Sequence, residues 1–402
     1  MKVLVLAGGF DQIALIQELK ERGHFVILVD YYDNPPAKYY ADKHIVASTL
    51  DVAKVEFIAK VEQVGLICTA CTDQALLTVA YVSERLGLPC YISYQTGLNV
   101  TNKSYMKEIL VKNDIPTSKY AIVSDSGINS IKGFSYPLVV KPVDCNSSKG
   151  VKRVDNVDDY VSFVRDALNF SRTHTAIVEE YKEGTEISAD FYIDHGKAKF
   201  LSATTSLKIK NRKSFTILGS DYPAVDCFHR EKIVAIATKI TKAFDLDNTP
   251  LLIQFISNKD EINVLEFSAR MGGGSKYRLI QVLSGVNIMS TYVDRILGGL
   301  PKVDPVKQVD YCKLIYLYCK PGVFDHVEGF DELALGGYVD DYFVYKTKGM
   351  VIHGAETSGD RPAGYLCTSS SQELLCQKIK YIDSRLKVIS EEGDDIMIHG
   401  LL

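Results

Sequence analysis

The stretch YPLVVKPVDCNSSKGV, residues 136–151, carries the signal that decides the fold. An apolar run ends in Lys141, a proline follows, and a loop of small polar residues closes on Lys149 and Gly150. A lysine at the end of a buried strand supplies a fixed charge, and the backbone N–H groups of a small-residue loop bind phosphate. On this stretch alone, a triphosphate clamp and an exposed β-hairpin turn are equally well supported.

Length and composition restrict the class of protein. The chain has 402 residues, of which 46% are hydrophobic and 24% are charged, so we expect a globular protein of two or three subdomains. The net charge of −4 argues against nucleic acid as a partner. The sequence has no apolar run of about 18 residues, which predicts that no segment spans a membrane. Nine scattered cysteines are typical of reduced thiols in a cytoplasmic protein.

Residues 1–100 alternate between strand and helix patterns, which predicts a parallel α/β lobe. The first strand, VLVLA, is followed by Gly8 and Gly9, a helical stretch, and a second strand that ends in Asp30. This is the outline of a dinucleotide-binding unit, but GGFDQI lacks the glycine spacing GxGxxG. A lobe with a ligand crevice at its strand ends is therefore favoured over NAD binding.

The rest of the chain has a different pattern. Short strands and helices predict a lid and linker subdomain over residues 101–181. Strand-like runs joined by short turns predict an antiparallel β-lobe over residues 182–300. Residues 301–402 are expected to form an α+β portion at the C-terminal end.

The segment IVEEYKEGTEIS, residues 177–188, places acidic residues at the end of one strand and the start of the next. The backbone of Glu179, Glu180 and Tyr181 is a candidate hinge that pairs with an adenine edge. Glu186 is a candidate acceptor for the two ribose hydroxyls. The alternative for Glu179 and Glu180 is that either side chain simply faces water.

The segment IQFISNKDEINVLEFSAR, residues 253–270, is typical of a β-hairpin. If the hairpin is symmetric, Gln254 and Glu266 lie on paired strands and point the same way. Two oxygen ligands on adjacent strands suit Mg²⁺, which keeps part of its water shell and binds substrate phosphates. Arg270 follows, and the glycines at 272–274 before a helix indicate a site for an oxyanion or a carboxylate.

Taken in order, VVKP, the small-residue loop, EExxxGTE and the strand pair ending in EFSAR resemble an ATP-grasp enzyme over nearly the whole chain. The resemblance is greatest to L-amino-acid ligases and carbamoyl-phosphate-synthase-like carboxylate–amine ligases. It implies an α/β fold in which a parallel N-terminal lobe, a mobile lid and an antiparallel, α+β ATP-grasp lobe with a C-terminal extension surround ATP. It also implies Mg²⁺, or Mn²⁺ in its place, and leaves a homodimer open.

The resemblance implies a role for each matching residue. Lys141 is expected on the α- and β-phosphates and Arg270 on the transferred phosphate, which makes these two the catalytic residues. Glu266 is expected to be the principal Mg²⁺ ligand, beside Gln254 and Ser268, where many members carry a carboxylate and an asparagine. The other residues expected to bind ATP are Lys103, Ser147, Ser148, Lys149, Gly150, Glu179, Glu180, Tyr181 and Glu186.

Some of the charged residues have a plainer interpretation. Lys103 also reads as a solvated helix residue, and Arg270 as half of a structural ion pair. A solvated strand face is favoured for Lys208 and Lys210, and a surface turn is favoured for Arg361.

The expected reaction is an ATP-dependent ligation of a carboxylate to an amine, through an acyl phosphate, with release of ADP and phosphate. The first alternative is a biotin-independent carboxylase or a formyl-type ligase of purine metabolism. The second is a nucleotide-binding relative without turnover, which the neutral Gln254 and Ser268 favour. Gln254→Glu, which restores the commoner residue, is expected to keep or raise Mg²⁺ affinity if the site is catalytic.

Overall fold

The N-terminal lobe is a parallel sheet covered by helices, as the sequence predicts. A computed structural model describes residues 1–127, 132–146, 148–209, 215–224, 230–258 and 261–402. The strands of this lobe are β1 (Lys2–Leu6), β2 (Phe25–Asp30), β3 (Lys43–Val46) and β4 (Leu66–Cys68). They pair in parallel in the order β3-β2-β1-β4. Residues 3–6 of β1 and 26–29 of β2 are fully buried because helices cover both faces of the sheet.

Five helices belong to the first 112 residues, and they are α1 (Asp11–Glu21), α2 (Val52–Glu62), α3 (Asp73–Leu86), α4 (Tyr94–Thr101) and α5 (Lys103–Lys112). Asn102 caps α5, because its side chain accepts from the N–H of Ser104 at 2.9 Å. Met106 and Leu110 of α5 pack into the core of the central lobe. The linker helix α5 therefore belongs with the central lobe, not with the lid.

The lid begins after α5. Its helix is α6 (Val157–Phe170), and its strands are β5 (Tyr120–Val123), β6 (Leu138–Pro142), β7 (Lys152–Val154) and β8 (Ala176–Glu180). The strands are antiparallel in the order β5-β8-β6-β7. The apolar face of α6 packs against β6 and β8 to form a small core of its own. This separate core makes the lid a unit that is able to move relative to the rest, although that mobility stays a prediction.

The central lobe is an antiparallel sheet that begins with β9 (Thr185–Asp194), β10 (Lys197–Lys208), β11 (Ile217–Tyr222), β12 (Thr249–Ser257) and β13 (Ile262–Ser268). Helix α7 (Arg230–Ala243) packs on one face together with Ile187, Phe191 and Phe255. Since side chains alternate along a strand, Glu186 and Gln254 lie on the opposite face. That face carries the candidate site.

The C-terminal portion continues the central sheet. Strands β14 (Tyr311–Tyr316), β16 (Asp341–Val344) and β18 (Ala363–Ser369) extend it, so that the order among the described residues is β13-β12-β9-β10-β11-β14-β18-β16. The boundary expected near residue 300 is therefore not a break in the sheet, because β11 pairs directly with β14.

The remaining elements complete the C-terminal half. Strands β15 (Gly322–Glu328), β17 (Val351–Ile352) and β19 (Lys387–Ser390) form a smaller sheet. The helices are α8 (Lys276–Ser284), α9 (Ile288–Ile296), α10 (Phe330–Leu335) and α11 (Gln372–Asp383). Helices α8 and α9 pack against the N-terminal lobe. Within the described ranges, the structure contains no helix whose length and apolar character would let it cross a membrane.

Candidate active site

A cleft opens between the lid sheet and the central sheet. The structure brings most of the residues expected to bind ATP or metal to this cleft. Its lining includes Lys103, Lys141, Ser148, Glu179, Glu180, Tyr181, Glu186, Gln254 and Glu266.

Glu179 forms the centre of a buried ion-pair cluster. One carboxylate oxygen lies 2.5 Å from Nζ of Lys107, and the other contacts Nζ of Lys141. The side chains of Lys107, Glu179 and Lys141 are 1%, 4% and 9% exposed. Burial raises the pKa of Glu179, but the two ammonium groups outweigh it and lower the pKa to about 2. The interpretation that this carboxylate faces water is therefore wrong.

Glu179→Gln is expected to destabilise the fold by about 3 kcal/mol at pH 7, because two buried ammonium groups lose their countercharge. The folded-state pKa of about 2 lies below the usual 4.5. The stabilisation is therefore complete above about pH 5 and is lost as the pH falls toward 2. Urea denaturation of wild type and variant between pH 7 and pH 3 measures this difference.

We expect the difference in unfolding free energy between the two proteins to shrink by roughly half or more by pH 3. The matched control is Glu180→Gln, since the neighbouring Glu180 side chain is 28% exposed and lies 3.5 Å from Lys119. It should cost less than about 1 kcal/mol. A cost for Glu179→Gln that does not change with pH contradicts the ion-pair assignment.

Lys103 connects the loop after β6 to the β12–β13 hairpin. Its Nζ donates to the carbonyl of Cys145 at 2.8 Å and lies 3.3 Å from Oε2 of Glu266. Its backbone N–H donates to the carbonyl of Val143 at 2.9 Å. The residue is 7% exposed, so its interpretation as a solvated helix residue is wrong.

Gln254 and Glu266 are directly opposite each other in the β12–β13 ladder, which confirms the predicted pairing. Both line the cleft. Burial raises the pKa of Glu266, but Lys103 and Lys141 outweigh it, so the net shift is downward and the carboxyl stays ionised. A carboxylate and an amide carbonyl, side by side, fit a Mg²⁺ ion that also binds the phosphate oxygens of ATP.

The phosphate loop is only partly directed at the cleft. Ser148 lines the cleft, whereas Nζ of Lys149 lies 5.3 Å from the ring centroid of Phe170. Gly150 has a φ of +71°, and a Cβ atom there would lie 2.8 Å from Cδ2 of Phe170. The turn and its packing therefore both require glycine at this position. Ser147 lies outside the described residues.

The hinge residues line the cleft, but part of their backbone is already hydrogen-bonded. The N–H of Glu180 donates to the carbonyl of Lys119, and the N–H of Tyr181 donates to the carbonyl of Pro137, both at 3.0 Å. These two donors are therefore not free for an adenine edge. Lys182 also lines the cleft and is the next backbone position that a base would meet.

Residues 134–277 match the family model of the ATP-grasp domain. This range includes Lys141 on the lid side of the cleft and Glu266 on the sheet side. The chain contains an ATP-grasp domain.

The sequences of two curated relatives extend this similarity beyond the domain. Phosphoribosylamine–glycine ligase of Pyrococcus furiosus is 23% identical over 324 residues, which is 74% of this chain and 72% of that enzyme.

The phosphoribosylamine–glycine ligase of Pyrococcus abyssi is 25% identical over 206 residues, which is 48% of this chain. That match spans 46% of the relative, less than half of its length. Solved structures cover more of the chain. L-amino acid ligase from Bacillus licheniformis has a TM-score of 0.79 and 20% identity, covering 97% of this chain and 98% of that one.

A second solved structure, N5-carboxyaminoimidazole ribonucleotide synthetase from Thermotoga maritima, has a TM-score of 0.74 and 20% identity. It covers 97% of this chain and 99% of that one. At these identities the likeness establishes the fold. The predicted fold, with a parallel N-terminal lobe and an antiparallel ATP-grasp lobe, is thereby confirmed.

Ser268 was expected to bind the metal and Arg270 the transferred phosphate, but both lie outside the described lining of the cleft. Ser268 pairs with Leu252, two residue pairs along the ladder from the Gln254–Glu266 pair. Arg270 is held by the N-terminal lobe: its Nε donates to Oδ1 of Asp73 at 2.7 Å, and a second bond joins Nη2 to the other oxygen. In this conformation Arg270 is half of a structural ion pair.

The glycine turn that closes the ATP-grasp domain already binds a carboxylate. The N–H groups of Gly274 and Ser275 donate to the two oxygens of Asp11 at 2.9 and 2.8 Å. Gly274 has a φ of +69°, and a Cβ atom there would lie 2.6 Å from Oη of Tyr316. The turn binds a carboxylate, but that carboxylate is the protein's own Asp11, so a ligand site at the turn stays a prediction.

Several interior cations of the ATP-grasp region were not predicted. Lys208 lines the cleft, where its side chain is 30% exposed and pairs with Glu186; Lys210 lies outside the described residues. Lys276, the first residue of α8, is 7% exposed. Its Nζ lies 3.1 Å from Oγ1 of Thr204. Its partners Ser188 and Thr204 are distant in sequence, so no local spacing indicates this burial.

Arg361 also points inward, so the surface turn favoured for it is wrong. Its Nε donates to Oη of Tyr318 at 3.0 Å. Its guanidinium lies 3.7 Å from the ring centroid of Tyr316. Because Oη of Tyr316 donates to the carbonyl of Gly274 at 2.8 Å, Arg361 lies beside the glycine turn.

Proposed function

We propose that this protein is a carboxylate–amine ligase that uses ATP and Mg²⁺. ATP phosphorylates a substrate carboxylate, and an amine then attacks the acyl phosphate to give an amide, ADP and phosphate. The protein need not supply a nucleophile, because the acyl phosphate is already activated. The names of its relatives, phosphoribosylamine–glycine ligase and L-amino acid ligase, support this class of reaction.

The observation that carries the proposal is the convergence of charges in one cleft. Lys103 lies 3.3 Å from Glu266, Gln254 is directly opposite Glu266 in the ladder, and Lys141 lines the same cleft. ATP and a carboxylate are both anions and repel each other, so their reaction requires fixed cations and a metal ion that hold them together. Phosphoryl transfer is accelerated almost entirely by such positioning and charge neutralisation.

The test is a screen of phosphate release from ATP and Mg²⁺ across pairs of amino acids and amines. We expect release only when both partners are present, together with a product whose mass is the sum of the two less one water. Release that depends on bicarbonate or formate instead supports the carboxylase or formyl-type alternative. Binding of an ATP analogue without release for any pair supports a non-catalytic relative.

The proposal includes the partners and the setting of the enzyme. We propose small-molecule carboxylate and amine substrates, with Mn²⁺ able to replace Mg²⁺, in a cytoplasmic protein that binds neither nucleic acid nor membrane. Assembly as a homodimer is part of the same proposal. Light scattering of the purified chain measures its mass directly and separates a dimer from a monomer.

A further inference from the structure

Glu186, near the start of β9, lies between two hydrogen-bond donors. Nζ of Lys208 lies 2.6 Å from its Oε2, and Nε2 of Gln254 lies 3.1 Å from its Oε1. The Glu186 side chain is 9% exposed and lines the cleft. Because an ionised carboxylate only accepts hydrogen bonds, both neighbours must present N–H groups to it.

This contact determines how the amide of Gln254 is turned. An amide has a donor end and an acceptor end, so when its NH₂ group faces Glu186, the carbonyl oxygen Oε1 is left for another partner. Gln254 is directly opposite Glu266, and both line the cleft. We infer that Glu186 is a positioning residue for the metal: it holds Gln254 so that Oε1 joins Glu266 in binding Mg²⁺. The inference rests on the proposed function, which supplies Mg²⁺ together with ATP.

The same geometry gives a physical reason for glutamine at position 254. A glutamate would place an oxygen where Nε2 now lies, 3.1 Å from Oε1 of Glu186. That oxygen has no hydrogen to donate, so the hydrogen bond is lost and the two negatively charged side chains repel each other. Gln254→Glu is therefore expected to weaken the metal site, contrary to the expectation from the commoner family residue. The neutral side chain matches Glu186 and is no sign of a site that has lost its metal.

The contact also ties the metal site to the nucleotide site. Glu186 is the residue expected to accept the ribose hydroxyls, so one carboxylate serves the sugar and, through Gln254, the metal. Loss of Glu186 should weaken both nucleotide and metal binding. A change confined to Gln254 should weaken metal binding alone. This difference separates a positioning role from a ribose contact.

The test compares the variants E186Q, Q254E and E186Q/Q254E with the wild type. The double variant exchanges the two side chains, so it keeps the total charge and one donor–acceptor contact. Mn²⁺ affinity is measured from the electron paramagnetic resonance signal of free Mn²⁺ at saturating AMP-PNP. The affinity for AMP-PNP without metal is measured by calorimetry. The control is E231Q, which removes one charge from the exposed Glu231 of α7.

We expect each single variant to lower Mn²⁺ affinity by about tenfold or more, the usual effect of losing a contact behind a metal ligand. The double variant should recover to within about threefold of the wild type, and the metal-free AMP-PNP affinity of Q254E should match the wild type. A Q254E protein that binds Mn²⁺ as tightly as the wild type, or a double variant no better than E186Q, overturns the inference. A wild type that binds no AMP-PNP at all overturns the proposed function itself and the inference with it.

Discussion

Glu266→Gln is expected to lower phosphate release by about a thousandfold while ATP still binds. Glu266 is the carboxylate of the β12–β13 hairpin that faces the cleft, and its partner Gln254 is neutral. A metal ion stabilises the charge that develops on a transferred phosphate by several kcal/mol, and each 1.4 kcal/mol is a factor of ten in rate. Losing the charged ligand should remove most of this stabilisation.

Nucleotide binding without metal should respond differently. Glu266 lies 3.3 Å from Nζ of Lys103, so its neutralisation leaves that ammonium free to attract phosphate. We therefore expect metal-free ADP to bind Glu266→Gln at least as tightly as the wild type. Calorimetry with and without Mg²⁺, beside an assay of phosphate release, measures both effects. If the variant keeps wild-type turnover, the metal binds elsewhere and the role given to this hairpin is wrong.

The matched control is Glu328→Gln at the end of β15, which makes the same chemical change far from the cleft. The Glu328 side chain is 48% exposed and lies 3.6 Å from Lys387. Exposed ion pairs of this kind contribute at most about 1 kcal/mol to stability. Turnover of this control should equal that of the wild type.

Lys141→Met is expected to lower turnover by about a hundredfold, the scale of losing one preorganised electrostatic contact. Methionine keeps the length and the apolar stem of the side chain but removes the charge. The remaining pair, Lys107 and Glu179, is neutral and 2.5 Å apart, so we expect little change in stability. Steady-state phosphate release and a thermal melt measure the two quantities.

Lys107→Met provides a sharp comparison, because Lys107 pairs with the same carboxylate, Glu179, and the variant removes that positive charge. Lys141 lines the cleft, whereas Lys107 does not appear among the described lining residues. Its ammonium is instead buried against Glu179 and lies 2.5 Å from Oγ1 of Thr117. Either variant leaves one neutral pair with Glu179, but Lys107→Met also removes the hydrogen bond to Thr117. We therefore expect it to lose more stability than Lys141→Met but to lower turnover by less than about tenfold. Equal losses of turnover in the two variants contradict a direct phosphate contact by Lys141.

The sequence predicted those features of the fold that depend on residues close together in the chain. The sequence predicted that Gln254 and Glu266 lie on the two paired strands of one hairpin, because the strands are joined by a short turn. It did not predict the β-bulge between Gln254 and Phe255 that brings Gln254 directly opposite Glu266. The position of Lys141 at the end of a buried strand was predicted from the apolar run that precedes it.

The partners of the charged residues were not predictable in this way. Asp73 and Arg270 are 197 positions apart, and Asp11 lies 263 positions from Gly274. Each of these groups looks like a surface charge in its own segment. Only the packing of the N-terminal lobe against the central sheet brings them together, and no spacing rule within one segment reports that packing.

The cluster around Glu179 has a consequence for recombining this protein with its relatives. Lys141 and Glu179 lie on lid strands, but Lys107 lies on α5, whose neighbours Met106 and Leu110 pack in the central core. A lid exchanged between two homologous proteins at its own sheet boundaries would leave Lys107 behind. The crossover point of a working chimera must therefore lie before α5, so that all three charges come from one parent.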